Sequence, residues 1–248
     1  MGISRTIRIA VVQPDDKCDL DRMGEWLEQD GVELRVIRPF AGDAVPASIH
    51  DDALIVLGGA MGVHDGDAYP YIDDIKSLLR ATADADLPTL GVCLGAQLLA
   101  DALGGEVAVG GEGLESGLVR IRLLDDAVGD PLVKSLPAQM LMPSLHFDAI
   151  TRLPRDAVLL GTGEVYPNQV FRVGSSWGVQ FHPEISPTRF VEWRDEVPMP
   201  LLAEVDAQAR EFESADTAVS DDARHLTRGF VGIVRGRRAD AGSRDGHS

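Results

Sequence analysis

The chain has little cysteine, little positive charge and no long apolar run, and each shortage removes a class of protein. Only Cys18 and Cys93 occur in 248 residues, too few for a disulfide framework or a cysteine-based zinc cluster. A bridge between the two is formally open, but a reducing cytoplasm suits them better. Lys and Arg total 23 against 40 Asp and Glu, a formal net charge of −17. Such a surface repels phosphates and argues against nucleic acid as a partner; it suits solubility or a basic protein partner. No segment is long enough to span a membrane, and the start, Ser4-Arg5-Thr6-Ile7-Arg8, lacks the apolar stretch of a signal peptide. Internal repeats are absent, and so is a phosphate-cradling glycine loop with lysine. Hydrophobic residues make up 44%, enough for one sizeable core or a core with an appendage.

The richest stretch is Thr89-Leu90-Gly91-Val92-Cys93-Leu94-Gly95-Ala96-Gln97. An apolar run drives into a cysteine flanked by small residues, and a helix-forming run follows. This pattern predicts a strand, a tight turn and a helix, with Cys93 held at the turn. Such an elbow needs small neighbours because its backbone is sharply turned. The free N–H groups at the start of the helix favour thiolate and meet any oxyanion formed there. Cys93 is therefore read as a nucleophile, with the N–H of the next residue, Leu94, as an oxyanion donor. Cys18 sits among Asp15, Asp16, Lys17 and Asp19; their negative charges disfavour a thiolate, and it is given no role.

A second segment, Trp177-Gly178-Val179-Gln180-Phe181-His182-Pro183-Glu184, reads as a buried strand ending in a histidine. A thiol attacking an amide needs a base to take its proton and return it to the leaving amine. His182 fits that role, with Glu184 to orient the imidazole and Pro183 to stiffen the spacing.

These two segments, with the glycine-rich Leu57-Gly58-Gly59-Ala60-Met61-Gly62-Val63-His64-Asp65, resemble the class I (triad-type) glutamine amidotransferases. The resemblance spans roughly residues 6 to 190 and keeps family order. It is strongest to stand-alone members similar to the glutaminase domain of GMP synthase. It implies that glutamine yields glutamate and ammonia through a γ-glutamyl thioester on Cys93, without cofactor or metal. It also implies a second oxyanion donor at Gly59, where glycine lets the backbone approach the substrate. Gln97, one helical turn beyond Cys93 on the same face, would contact the bound glutamine. His146, in Ser144-Leu145-His146-Phe147-Asp148, matches a family segment lining the glutamine pocket, with Phe147 where glycine is common. Glu115 matches another family position, and the polar residues of Asn168 to Gly174 either face the pocket or edge an ordinary strand.

Along the chain, apolar strands (Ile7–Val12, Val32–Ile37, Ala53–Leu57, Leu87–Val92) alternate with helical patterns (Leu20–Gln29, Tyr71–Ala83, Ala96–Leu103). That alternation predicts an α/β fold, a mostly parallel sheet with helices on both faces, of the flavodoxin-like type the resemblance implies. Ligands in such sheets bind beyond the carboxyl ends of the strands, where Gly59, Cys93 and His182 would emerge. Shorter strands at Gly104–Gly111, Leu118–Leu124 and Val158–Gly161 predict a small antiparallel extension of the same sheet. The α/β domain is assigned to residues 1–200. Helices at Thr188–Glu196, Leu201–Phe212 and Asp221–Val234 follow, with residues 201–234 as a helical extension and 235–248 as a disordered tail. Those last helices would cap the sheet, form a homo-oligomer contact or cover the active-site mouth.

Three activities compete. The first is a glutaminase that passes ammonia to a separate synthase subunit, since the chain leaves no room for a fused one. The second is a self-sufficient hydrolase of γ-glutamyl amides or peptides, and the third an inactive amidotransferase fold used as a binding module. The first is preferred, with L-glutamine or a γ-glutamyl compound as substrate.

Overall fold

Apolar strands alternating with amphipathic helices fold, in a computed structural model describing residues 6–245, around one large sheet. In chain order the strands are β1 (Ile7–Val12), β2 (Val32–Ile37), β3 (Ala53–Val56), β4 (Thr89–Val92), β5 (Glu106–Val109) and β6 (Glu115–Leu123). Then come β7 (Gln139–His146), β8 (Asp148–Arg152), β9 (Val158–Thr162), β10 (Val170–Val173) and β11 (Ser176–Val179). The helices are α1 (Asp21–Gln29), α2 (Tyr71–Asp84), α3 (Leu94–Ala102), α4 (Pro187–Glu192) and α5 (Leu202–Asp245).

The nine-stranded sheet runs β2-β1-β3-β4-β11-β10-β9-β6-β7. Its first half is parallel: β1 pairs with β2 and β3, β3 with β4, and β4 with β11. From β10 onwards every pairing is antiparallel. The extension therefore continues the main sheet, as expected. One expected strand departs from it. β5 pairs only with β8, in a separate two-stranded ribbon. Gly104 has φ 87°, which turns the chain out of the sheet after α3. β7 escaped the sequence reading because Pro143 lies inside it; as the last strand it has a free edge that tolerates proline.

Side chains alternate between two cores. Ile9, Val11, Ile55, Leu90 and Val92 face one side and pack with α1 and α5. Ala10, Val12, Leu54 and Val56 face the other and pack with α2 and α3.

The carboxy-terminal region is corrected by the structure. In place of two helices and a tail, residues 202–245 form a single α5 of 44 residues. The stretch between the expected helices (213–220) is rich in Ser, Asp and Thr, poor helix formers. Val205, Phe212, Val219, Leu226 and Phe230 are nonetheless buried along it, and a continuous apolar stripe outweighs propensity. Beyond Val234, arginines carry the helix on. Arg237 pairs with Asp86 at 2.7 Å, Arg238 with Asp52 at 3.4 Å, and Arg235 donates to the Asp30 carbonyl at 2.6 Å. The rest of the expected tail, 246–248, lies outside the described residues. Of the three roles open for these helices, α5 takes that of capping the sheet, against β6 and β7.

Because Phe230 belongs to the same core as β1 and β3, Phe230→Ala should cost about 3–5 kcal/mol. Urea unfolding followed by circular dichroism checks this; an independent appendage would leave the main transition unmoved.

Candidate active site

Close backbone packing builds the elbow. Cys93 joins β4 to α3 with φ 49° and ψ −107°, a left-handed value that a side-chain-bearing residue adopts only when its surroundings impose it. A Cβ on Gly91 would lie 2.5 Å from the Gly95 carbonyl oxygen, and one on Gly95 would collide with the Val56 carbonyl oxygen. The two glycines thus let the first turn of α3 settle onto the ends of β3 and β4. That turn presents the N–H of Leu94 at the start of the helix. Gly59 follows β3, and a Cβ there would come within 3.0 Å of the Leu94 side chain. Neither the Gly59 nor the Leu94 N–H donates to an acceptor among the described residues.

His182 follows β11, next to β4 in the sheet, so the sheet itself brings it to Cys93. Its Nδ1–H donates to Glu184 Oε1 at 2.7 Å, and both side chains are buried. Burial alone would lower the His182 pKa. The charges of Cys93 and Glu184, with the hydrogen bond to Glu184, outweigh it and push the pKa up to about 10. Trp193, just beyond α4, packs edge-on against the imidazole at 4.5 Å between centroids. On the other side, a Cβ on Gly58 would sit 2.9 Å from the imidazole Cε1. The ring is held from both sides.

A cleft of about 510 Å³ opens over these groups, lined by Gly59, Cys93, Gln97, His146 and His182 among others. Gln97 lines it, but its amide nitrogen is spent on the Asp148 carbonyl at 2.8 Å and on Gln180 at 3.3 Å. His146 lines it with both ring nitrogens engaged, Nδ1 on the Asp148 carbonyl and Nε2 on Glu115, each at 2.9 Å. Glu115 therefore anchors His146, and Gln169 donates to the same carboxylate at 2.8 Å. Asn168 donates to the Ile150 carbonyl at 2.7 Å, so the 168–174 segment braces the pocket wall rather than facing the cleft.

The sequence reading missed Gln180, whose amide reaches Cys93 Sγ at 3.8 Å. A signal existed: Gln180 is two residues before His182 in an apolar segment and so shares its side. It also missed Trp193, which carried none.

The class-I glutamine amidotransferase family profile matches residues 25–192, more than half of the sequence. The chain belongs to this family. Over 169 residues this amidotransferase is 34% identical to a glutamine-hydrolysing GMP synthase subunit from Pyrococcus furiosus, covering 67% of this chain and 84% of that one. Over 137 residues it is 38% identical to a glutamine-hydrolysing GMP synthase from Symbiobacterium thermophilum, covering 53% of this chain but only 24% of that longer protein. A glutamine amidotransferase from Thermotoga maritima superposes with a TM-score of 0.81 at 23% identity, covering 92% of this chain and 99% of that one. That last likeness is one of fold. No described helix of the amidotransferase is long and apolar enough to cross a membrane.

Cys18 also lines the cleft. Burial first, then the charges of Asp15, Cys93 and Glu184, raise its pKa far above the usual thiol range, against a small opposing effect of Arg189. It stays a protonated thiol at every physiological pH. Iodoacetamide at neutral pH should therefore modify Cys93 in the folded chain and reach Cys18 only on unfolding, as peptide mass spectrometry will show; early labelling of Cys18 would contradict this electrostatic picture.

Proposed function

We propose that the protein hydrolyses the side-chain amide of L-glutamine and releases ammonia to a separate acceptor enzyme. The Cys93 thiolate attacks the amide carbon, and the negative charge that moves to oxygen is met by the N–H groups of Leu94 and Gly59. The His182 imidazolium gives its proton to the departing nitrogen, leaving ammonia and a γ-glutamyl thioester. Water then attacks the thioester with His182 as base, glutamate leaves, and Cys93 returns as thiolate. Glu184 holds the imidazole in the required tautomer throughout. Gln97, Gln180 and His146 shape the wall against which the substrate lies. The observation carrying this reading is the positive-φ elbow at Cys93 beside two backbone donors that no acceptor among the described residues claims. A separate acceptor is supported by the Pyrococcus relative, which is named as one subunit of its synthase.

One observation favours a second reading, hydrolysis of larger γ-glutamyl amides. Val109 and Phe147 line the cleft and are 76% and 41% exposed, an apolar rim beyond what an ammonia leaving group requires. The chemistry is the same, and only the amine that departs differs.

Glutamate and ammonia release from L-glutamine, measured beside a panel of γ-glutamyl amides, separates the readings. Cys93→Ala should abolish turnover in either case; activity retained in that variant would remove the nucleophile from the proposal. Glu184→Gln should lower kcat by about 10²–10⁴-fold and also reshape the pH profile. In the native chain the imidazolium is present below its raised pKa and is lost as pH climbs through about 10, so kcat/KM should fall on that alkaline side. Removing the Glu184 charge lowers the His182 pKa, and the alkaline limb should move to lower pH.

A further inference from the structure

A second cavity, of about 890 Å³, lies at the opposite end of the sheet from the Cys93 cleft. Pro88 precedes β4, and Ser175 and Trp177 stand at the start of β11; all three line it. These are the amino ends of the two strands whose carboxyl ends lead to Cys93 and His182. The outer wall is α5.

Two features set this cavity apart. The first is charge. Its ionisable lining is Lys134, Arg172, His225, Arg228 and Arg237, with no carboxylate, in a chain whose acids outnumber bases 40 to 23. Acids outside the lining pair with three of the arginines: Asp130 holds Arg172 at 2.8 Å, the exposed Asp86 holds Arg237 at 2.7 Å, and Asp30 lies 3.9 Å from Arg228. Those acids offset much of the charge; Asp130 also fixes the Arg172 guanidinium as an oriented donor of the kind that suits phosphate oxygens, while Arg237 spends both terminal nitrogens on Asp86 and the Ala85 carbonyl. Arg172 spends Nε on Asp130 and Nη1 on the Gly174 carbonyl, which leaves Nη2 without a protein acceptor among the described residues. Lys134 has no acidic partner among them either.

The second feature is room. Gly229, Gly232 and Gly236 of α5 all line the cavity. A glycine inside a helix costs about 1 kcal/mol relative to alanine, so each asks for a reason. Packing explains Gly229, where a Cβ would lie 2.5 Å from the Leu132 carbonyl oxygen. It explains neither of the others, because nothing lies within 4 Å of a Cβ built at Gly232 or Gly236. Side chains there would enter the open space. Trp177, Ile233, Pro88 and Pro131 supply apolar surface between the basic groups. The volume falls in the range of small-molecule sites, about 300–1,000 Å³.

We propose that this cavity binds a phosphate-bearing small molecule, its phosphate on the Lys134–Arg172–Arg228 side and its apolar body against the glycine face of α5. The site is independent of the Cys93 chemistry.

Isothermal titration of the full chain with inorganic pyrophosphate tests the anion half of the site. One saturable site per chain is expected, weakening as salt rises. Lys134→Glu combined with Arg228→Glu, both on exposed side chains, should weaken binding about tenfold or more. Gly232→Leu keeps every charge and improves helix propensity, yet should block binding by filling the space. Arg120→Glu, on an exposed arginine elsewhere, and Cys93→Ala should both bind as the native chain does, which separates this result from the fate of the glutaminase reading. Absence of saturable binding at millimolar pyrophosphate would overturn the proposal. So would binding that survives both the charge-reversal pair and Gly232→Leu.

Discussion

How closely the first turn of α3 approaches the ends of β3 and β4 governs the rest of the cleft. Gly91 and Gly95 permit that approach because any Cβ at either position would strike backbone, which cannot move aside as a side chain can. With the helix seated there, Cys93 has no choice but the left-handed φ of 49°, and the strain is borne by the packing of two cores, one on each face of the sheet. The same seating sets the start of α3, with the N–H of Leu94 that donates to no acceptor among the described residues, directly after Cys93. The strain at Cys93 and the placing of the first turn of α3 thus have a common origin in two missing methyl groups.

The charges depend on that geometry in turn. His182, Glu184 and Cys93 are all buried, and an isolated charge in such a place would neutralise itself. The Glu184 carboxylate, hydrogen-bonded to His182 at 2.7 Å, favours the charged imidazole, and burial then strengthens that attraction rather than only opposing it. Glu184 adds to this because its second oxygen, Oε2, has no hydrogen-bond partner among the described residues, so the imidazole is its one hydrogen-bonded neighbour. Trp193 and Gly58 confine the ring sterically, so the imidazole is fixed by packing and charge at once. In the reaction we propose, a histidine so held passes its proton along a set direction, as an acid that must become a base between two half-reactions needs.

Much of this was legible in the sequence because it is local. The elbow is written in nine consecutive residues, and the histidine and its carboxylate are two positions apart. The central parallel strands β3 and β4 announce themselves by apolar runs, since strands buried on both faces are apolar throughout. What was not legible depends on distant partners. His146 was expected in the pocket, yet its bond to Glu115, 31 residues earlier, turns a candidate contact into a braced wall. Gln97 is likewise placed by the Asp148 carbonyl. β5 was expected in the main sheet, and only the position of β8 shows why it leaves. The unbroken α5 is the largest miss: residues poor in helix propensity are carried by burial of Val219 and its neighbours against strands far away in sequence.

α5 also shows why a capping element need not be passive. The family profile ends at residue 192, before α5 begins at Leu202, so nothing in the shared amidotransferase pattern dictates its sequence. One stripe of it is constrained as a core usually is, with Leu226, Phe230, Val231 and Val234 almost completely buried. The adjoining stripe is constrained differently. There the helix carries Gly232 and Gly236 where propensity alone would favour alanine, beside arginines anchored to Asp30, Asp86 and Asp52 on loops next to the sheet. A helix selected only to cover apolar strands has no need for a stripe that weakens it. The two stripes therefore answer to two demands, closing the core on one side and keeping a basic cavity open on the other.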